Sequence, residues 1–172
     1  AAWDNIPWTE EITTLPPQLD AVCFGSLSQR DNVSRDTIRK FLAATGPDCL
    51  RVFDINIRQD FYKDEIIRSS LESANVLKLN DEELPIVADL RRVKGPDEEI
   101  VRAIISQFDL KLVALTCGPK GALMVTPEES SSAVPSVTDV ISTVGAGDSF
   151  TAAMIMGFLK NKPLDQINKE AN

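Results

Sequence analysis

The strongest constraint in this sequence is a regular alternation between short apolar runs and longer segments with helical spacing. Ala21-Val22-Cys23-Phe24, closed by Gly25, predicts a buried strand. Ser34 to Ala44 places Ile38, Phe41 and Leu42 at helical spacing, with Asn32 or Ser34 as cap and Gly46-Pro47 as its end. Leu50-Arg51-Val52-Phe53 predicts a second strand, followed by a helix from Tyr62 to Ser73. Asn75 to Leu79 predicts a third strand. A helix capped by Asn80 or Asp81 then runs through Leu90, with Pro85 early enough to be tolerated. Residues 97–108 predict a further helix with Ile100, Ala103, Ile104 and Phe108 inward, and Leu112 to Thr116 a fourth strand. Strands alternating with helices call for a parallel sheet with helices on both faces.

After Thr116 the pattern changes. Gly118-Pro119-Lys120-Gly121 predicts a sharp turn into Ala122-Leu123-Met124-Val125. Glu128 to Ser132 reads as a polar tip, and Ala133 to Ile141 as one or two short strands. Together these predict an antiparallel edge on the sheet. Phe150, Met154, Gly157 and Phe158 then recur at helical spacing, so a helix starts near Gly147. Residues 1–19, with Trp3, Trp8 and three prolines, read as an irregular lead-in with a short helix near Thr9–Thr14. The tryptophans are expected to pack rather than to face a ligand. The chain opens Ala-Ala-Trp and closes at Asn172 inside a starting helix, so both ends read as cut.

The 172 residues, 43% of them hydrophobic, suffice for one domain with a sizeable core, and nothing reads as a linker. The net charge of -8 argues against nucleic acid and anionic membrane surfaces as main partners. No stretch is long and apolar enough to span a membrane. Cys23, Cys49 and Cys117 are scattered in apolar context and read as buried free thiols of a reducing, cytoplasmic compartment. The sequence contains no histidine, so any acid–base chemistry rests on Asp, Glu, Lys, Tyr or Cys.

Chemistry gathers where strands end, because in open parallel sheets ligands bind beyond the carboxyl ends of the strands. Gly145-Ala146-Gly147-Asp148 is the most informative stretch. Small residues before a helix let a ligand approach the backbone, and the unpaired N–H groups of the first turn form an anion site. Asp148 stands beside it. A carboxylate there opposes binding of phosphate but suits a base that takes the proton of an attacking hydroxyl. The bland alternative is a tight turn with a first-turn acid favoured by the helix dipole. A second alternative, the G-x-G-x-x-G dinucleotide loop, would need glycine at Phe150 and a strand after the helix.

Three further stretches end strands. Asp54-Ile55-Asn56-Ile57-Arg58 offers Arg58 as a phosphate clamp, or as a surface arginine paired with Asp54 or Asp60. Asn80 and Glu83 share one helix face and could orient water around Mg²⁺ on nucleotide phosphates, or form a capping box. Thr116 to Gly121 could lie along a nucleotide, with Thr116 and Lys120 reaching phosphate, or make a plain hairpin turn.

Taken in order, these stretches resemble the PfkB/ribokinase family of sugar kinases over essentially the whole chain. Thr143 to Asp148 is similar to its C-terminal signature, Asn80 to Glu83 to its N-x-x-E motif, Thr116 to Gly121 to its T-x-G-x-x-G loop, and Asp54 to Arg58 to its D-x-N-x-R stretch. The resemblance implies a ribokinase-like three-layer α/β/α fold, here incomplete, with a mostly parallel sheet and an antiparallel edge. It implies ATP-dependent phosphorylation of a sugar hydroxyl, with Asp148 as base and the backbone of Gly145, Ala146 and Gly147 as anion hole. Asn80, Thr116, Gly118, Lys120, Gly121 and Gly147 then bind nucleotide, Asn56 and Arg58 meet phosphate or substrate, and Asn80 and Glu83 act on Mg²⁺ through water. Ser142 stands where many members carry an Asp that helps hold a monovalent cation, which places potassium activation in doubt. The run from Phe24 to Tyr62 looks most like fructokinases; 2-keto-3-deoxygluconate, ribose and nucleosides stay open as acceptors. Members of other classes that the pattern leaves open are a dinucleotide-dependent oxidoreductase and a non-catalytic binding module. Family members are longer, so residues 1–172 read as the central to C-terminal part of one nucleotide-binding domain. The lid, which mediates homodimers in the family, and most sugar contacts then lie outside this chain, leaving apolar surface or a sheet edge exposed.

Overall fold

The computed structural model describes residues 1–57, 63–135 and 145–172. Among these residues the strands are β1 (Ala21–Phe24), β2 (Leu50–Asp54), β3 (Val76–Asn80), β4 (Leu112–Thr116), β5 (Ala122–Val125) and β6 (Ser130–Ala133). The helices are α1 (Glu10–Thr13), α2 (Asn32–Ala43), α3 (Asp64–Ser73), α4 (Leu84–Arg91), α5 (Asp97–Phe108), α6 (Ala146–Leu159) and α7 (Leu164–Ala171). The strands form one sheet in the order β1-β2-β3-β4-β5-β6, mostly parallel and antiparallel from β4 to β6. The expected three-layer α/β architecture with its antiparallel edge is therefore present. The chain divides into two compact units, 1–77 and 78–172.

In the first unit β1 and β2 run parallel, with Phe24 opposite Phe53. Their rings stack with centroids 5.3 Å apart, the cross-strand aromatic pairing that stabilises a sheet face. Phe53, Ile55, Ile66, Ile67 and Leu71 are fully buried around them. Buried Asn75 ties the start of β2: its side chain accepts from the Arg51 N–H (2.8 Å) and donates to the Cys49 carbonyl (2.9 Å). Asp4 receives a two-pronged bond from Arg30 at 2.7 Å on each oxygen, and the Ile6 N–H donates to Ser34 Oγ (2.9 Å). These contacts dock the lead-in, whose short helix α1 falls where the sequence places it.

The second unit packs α4–α7 with β4–β6 around Ile104, Leu112, Val113, Leu115, Met124 and Met154. Asn168 of α7 is fully buried. Its amide donates to the Ala122 carbonyl (3.2 Å) and to the Ser131 carbonyl (2.8 Å), so α7 is clamped to both strands of the edge hairpin. At Gly157 of α6 a side chain would begin 2.9 Å from Ile167, which is why glycine lets α7 lie so close.

Several boundaries differ from expectation. Asp31, not Asn32 or Ser34, caps α2, because its carboxylate accepts from the Val33 N–H at 3.0 Å. In α3 the helix begins at Asp64; Tyr62 lies outside the described residues. The polar tip is shorter than expected, because Ser130–Ala133 already forms β6 with Ser131 and Ala133 turned inward. The strand expected from Ala133 to Ile141 falls mostly outside the described residues. Only Cys49 is buried; Cys117 is half-buried and Cys23, in β1, is exposed. Trp3 is also half exposed rather than packed. Met156 and Leu159, three apart on α6, expose apolar surface, as does Val134 after β6. Among the described residues no helix is long and apolar enough to cross a membrane.

Candidate functional site

Three segments of the second unit hold residues that the sequence singles out. The first is the end of β3. Asn80 Oδ1 accepts from the N–H groups of Glu82 (2.9 Å) and Glu83 (2.8 Å), while Glu83 Oε2 accepts from the Asn80 N–H (2.9 Å). This is the reciprocal geometry of a capping box. The helix proper begins one turn later than expected, at Leu84, because residues 81–83 close this tight turn first. Glu83 is buried, so its carboxylate is fixed by the turn rather than free to wander. Both members are hard oxygen donors, which fits a Mg²⁺ ion held through water and phosphate rather than by a protein cage. Among the described residues no group of three acidic, cysteine or histidine ligands gathers.

The second segment is the loop after β4. The Asp81 N–H donates to the Thr116 carbonyl (3.0 Å) and Thr116 Oγ1 to the Leu79 carbonyl (3.3 Å), so β3 and β4 end level. The Cys117 N–H donates to the Gly121 carbonyl (2.7 Å), and Gly118–Lys120 make a single 3₁₀ turn. Gly118 and Lys120 are exposed. Gly121 adopts φ 95°, and a Cβ there would lie 1.9 Å from the Ala133 carbonyl oxygen. Burial, with Asp81 and Asp97 adding repulsion, pushes the Cys117 thiol up, so it stays protonated and inert near neutrality.

The third segment is the start of α6. Gly145 stands at its N-cap in a left-handed conformation (φ 82°). The Ser149 N–H makes the first intrahelical bond, to the Gly145 carbonyl at 2.9 Å. The N–H groups of Ala146, Gly147 and Asp148 therefore precede the helical ladder, and the positive end of the dipole lies among them. Ala146 and Asp148 are exposed, and Gly147 is half-buried. Thr151, buried one turn on, donates to the Gly147 carbonyl (3.0 Å) and holds this turn to the helix body.

The remaining expected residues lie elsewhere. Asn56 follows β2 in the first unit, exposed and with φ 48°, a left-handed conformation that asparagine tolerates and most residues do not. Arg58 and Ser142 lie outside the described residues, as do Thr143 and Val144. One residue escaped the sequence reading. Lys78 in β3 is only 8% exposed, and its Nζ lies 3.2 Å from the position a Cβ on Gly147 would take. Its signal was available: a lysine inside an otherwise apolar interior strand is rare unless it is paired or employed.

The profile of pfkB family carbohydrate kinases matches residues 9–172 of this sequence. The uncharacterized sugar kinase PH1459 of Pyrococcus horikoshii is 33% identical over 157 residues, covering 88% of this chain and 47% of that protein. Its crystal structure superposes with a TM-score of 0.76 at 28% identity, over 92% of this chain and 51% of that one. A second PH1459 structure holds ATP. A fructokinase of Rhizobium leguminosarum bv. trifolii is 27% identical over 152 residues, covering 86% of this chain and 45% of that enzyme. The chain thus spans about half the length of the relatives it matches. With the ordered strand-end motifs, the fold and the match over nearly its whole length in agreement, this chain belongs to the pfkB family of carbohydrate kinases.

Proposed function

We propose that the protein transfers the γ-phosphoryl group of ATP to a hydroxyl of a sugar, with fructose as the first acceptor to test. The observation that carries this reading is the start of α6, where a carboxylate stands in the first turn beside backbone N–H groups outside the helical ladder. Asp148 takes the proton of the attacking hydroxyl. The N–H groups of Gly145, Ala146 and Gly147 stabilise the charge on the group in transfer, a task for positioned dipoles because phosphoryl transfer asks little covalent chemistry of the protein. Thr116, Gly118, Lys120 and Gly121 hold the nucleotide along the loop after β4. Asn80 and Glu83 would hold Mg²⁺ through water, where the ion supplies neutralising charge for the phosphates. Asn56 and Arg58 meet the substrate or its phosphate. An ATP-dependent kinase with free thiols fits a reducing, cytoplasmic setting.

ADP release by the full-length protein, with MgATP and a panel of sugars and sugar phosphates, tests the reading. Asp148→Asn should lower turnover by about 10²–10⁴-fold, the usual contribution of a general base. Near-normal turnover in that variant would remove Asp148 from its role, and NADH binding without ATP binding would favour an oxidoreductase instead.

A further inference from the structure

We infer that Ser26 is a positioning residue for Asn56, holding it in the conformation in which it meets the sugar; the role rests on the reading of Asn56 as a substrate contact. The peptide that joins Ile55 to Asn56 follows directly on β2. Its carbonyl accepts twice from Ser26, from the N–H at 3.2 Å and from Oγ at 2.7 Å. A carbonyl oxygen has two lone pairs, so both are engaged by one residue. Two donors restrain the tilt of the peptide as well as its position. Asn56 leaves that peptide with φ 48°. A left-handed residue with a side chain is disfavoured in a free chain, and it persists where its surroundings over-determine it.

Ser26 is itself held from behind. It is 2% exposed and opens the 3₁₀ turn of Leu27–Gln29. Gln29, equally buried, donates from Nε2 to the Gly25 carbonyl (2.9 Å) and to Ser70 Oγ of α3 (2.9 Å). At Gly25 a Cβ would stand 3.0 Å from the Asp54 carbonyl oxygen, so glycine lets the exit of β1 pass close enough for Ser26 to reach the end of β2. A buried polar chain thus runs from α3 through Gln29 and Ser26 to the backbone of Asn56, which is exposed. The Asn56 amide offers a donor and an acceptor, as a sugar hydroxyl does. A group already held in place loses less freedom on binding, so the clasp acts on sugar affinity without touching the sugar.

The test uses the full-length protein with MgATP and its best sugar. Ser26→Ala, Asn56→Ala and the double variant are each checked by thermal melting. Asn56→Ala should raise the sugar KM at least about tenfold. Ser26→Ala keeps the N–H bond and loses the Oγ bond. It should raise the sugar KM at least about threefold, while kcat and the KM for ATP each move less than about twofold. In the Asn56→Ala background the same change at Ser26 should move the sugar KM by less than about 1.5-fold, because its effect passes through Asn56. A general loosening of the fold would act alike in both backgrounds. An undiminished effect in the double variant therefore overturns the inference, as does an unchanged sugar KM in a folded Ser26→Ala protein. Both results leave the kinase reading intact. If Asn56→Ala leaves the sugar KM unchanged, the substrate contact fails and the inference with it, while transfer itself stands. Absence of transfer to any sugar by the wild-type protein discards both. Should Ser26→Ala not fold, Ser26→Cys, of nearly the same shape with a weaker donor, takes its place under the same outcomes.

Discussion

Gly121→Ala is the substitution whose cost can be worked most directly from the structure. Gly121 combines φ 95° with ψ -146°, a region that only glycine occupies comfortably, so alanine there costs about 1–3 kcal/mol in conformation alone. The new methyl would also stand 1.9 Å from the Ala133 carbonyl oxygen and 2.8 Å from Val134 Cα. Relief demands that β6 retreat by about 1 Å. The strand cannot retreat freely, because Ala133 is in register with Ala122 and Asn168 holds Ser131. Losing the bond between the Cys117 N–H and the Gly121 carbonyl adds about 1 kcal/mol. We expect a total near 3–4 kcal/mol, and a melting temperature lower by roughly 6–16 °C for a chain of this size. Gly118→Ala is the control, since that residue has φ 54° and nothing within 4 Å of its Cβ. It should cost only about 1–2 kcal/mol, the price of a left-handed alanine. Both variants are compared by calorimetry and urea titration. Equal stability of the two within about 0.5 kcal/mol, close to the limit of such comparisons, would refute the argument from the β6 backbone.

Other expectations follow from single contacts. Asn168→Leu leaves the buried carbonyls of Ala122 and Ser131 without their donor, and should cost about 2–4 kcal/mol in urea unfolding. The Arg30 guanidinium, then the terminal amine of Ala1, hold the Asp4 carboxyl well below the usual carboxylate range. The folded form thus favours the ionised acid, so the stabilisation is full above the unfolded value near 3.9 and is lost as pH falls below it. The stability gap between wild type and Arg30→Met, followed by urea unfolding, should therefore be present at pH 6 and shrink below about pH 4; a gap that grows on acidification would contradict the sign. In alkylation at neutral pH followed by mass spectrometry, exposed Cys23 should react first and buried Cys49 last. Cys117 should be slow and gain rate as pH rises, because burial keeps its thiol protonated.

What could be read in advance depended on how strongly burial dictates residue type. β1 to β5 are apolar runs with clear ends, and the periodic helices α2, α3 and α5 present one apolar face each, so their existence was legible. Caps were less so: Asp31, Asn32 and Ser34 are all competent, and only the observed bond to Val33 chooses among them. β6 was missed because Ser130, Ser131 and Ser132 alternate in burial without alternating in hydrophobicity. Its inward polar group is satisfied by Asn168, thirty-seven residues away, a pairing that no local pattern announces. In the site, the spacing of Asn80 and Glu83 was compatible with a capping box and with a metal role, and the capping geometry is the one present. Lys78 was concealed by the apolar run that surrounds it, since its nearness to Gly147 appears only in the folded chain.

The strand order has a consequence for how the chain acquires its shape. Each strand neighbours the one made just before it, from β1 through β6. None of the described strands has to be inserted between two that are already paired, as happens in sheets whose order doubles back. Among the described strands, each addition at the margin therefore closes only the connection that leads to it, and topologies rich in such near-sequence pairings fold fast for their size. Until the next strand arrives, the growing margin is an open row of peptide groups, the usual template for unwanted self-association. The last described strand, β6, is three serines and an alanine, with Ser131 and Ala133 turned inward.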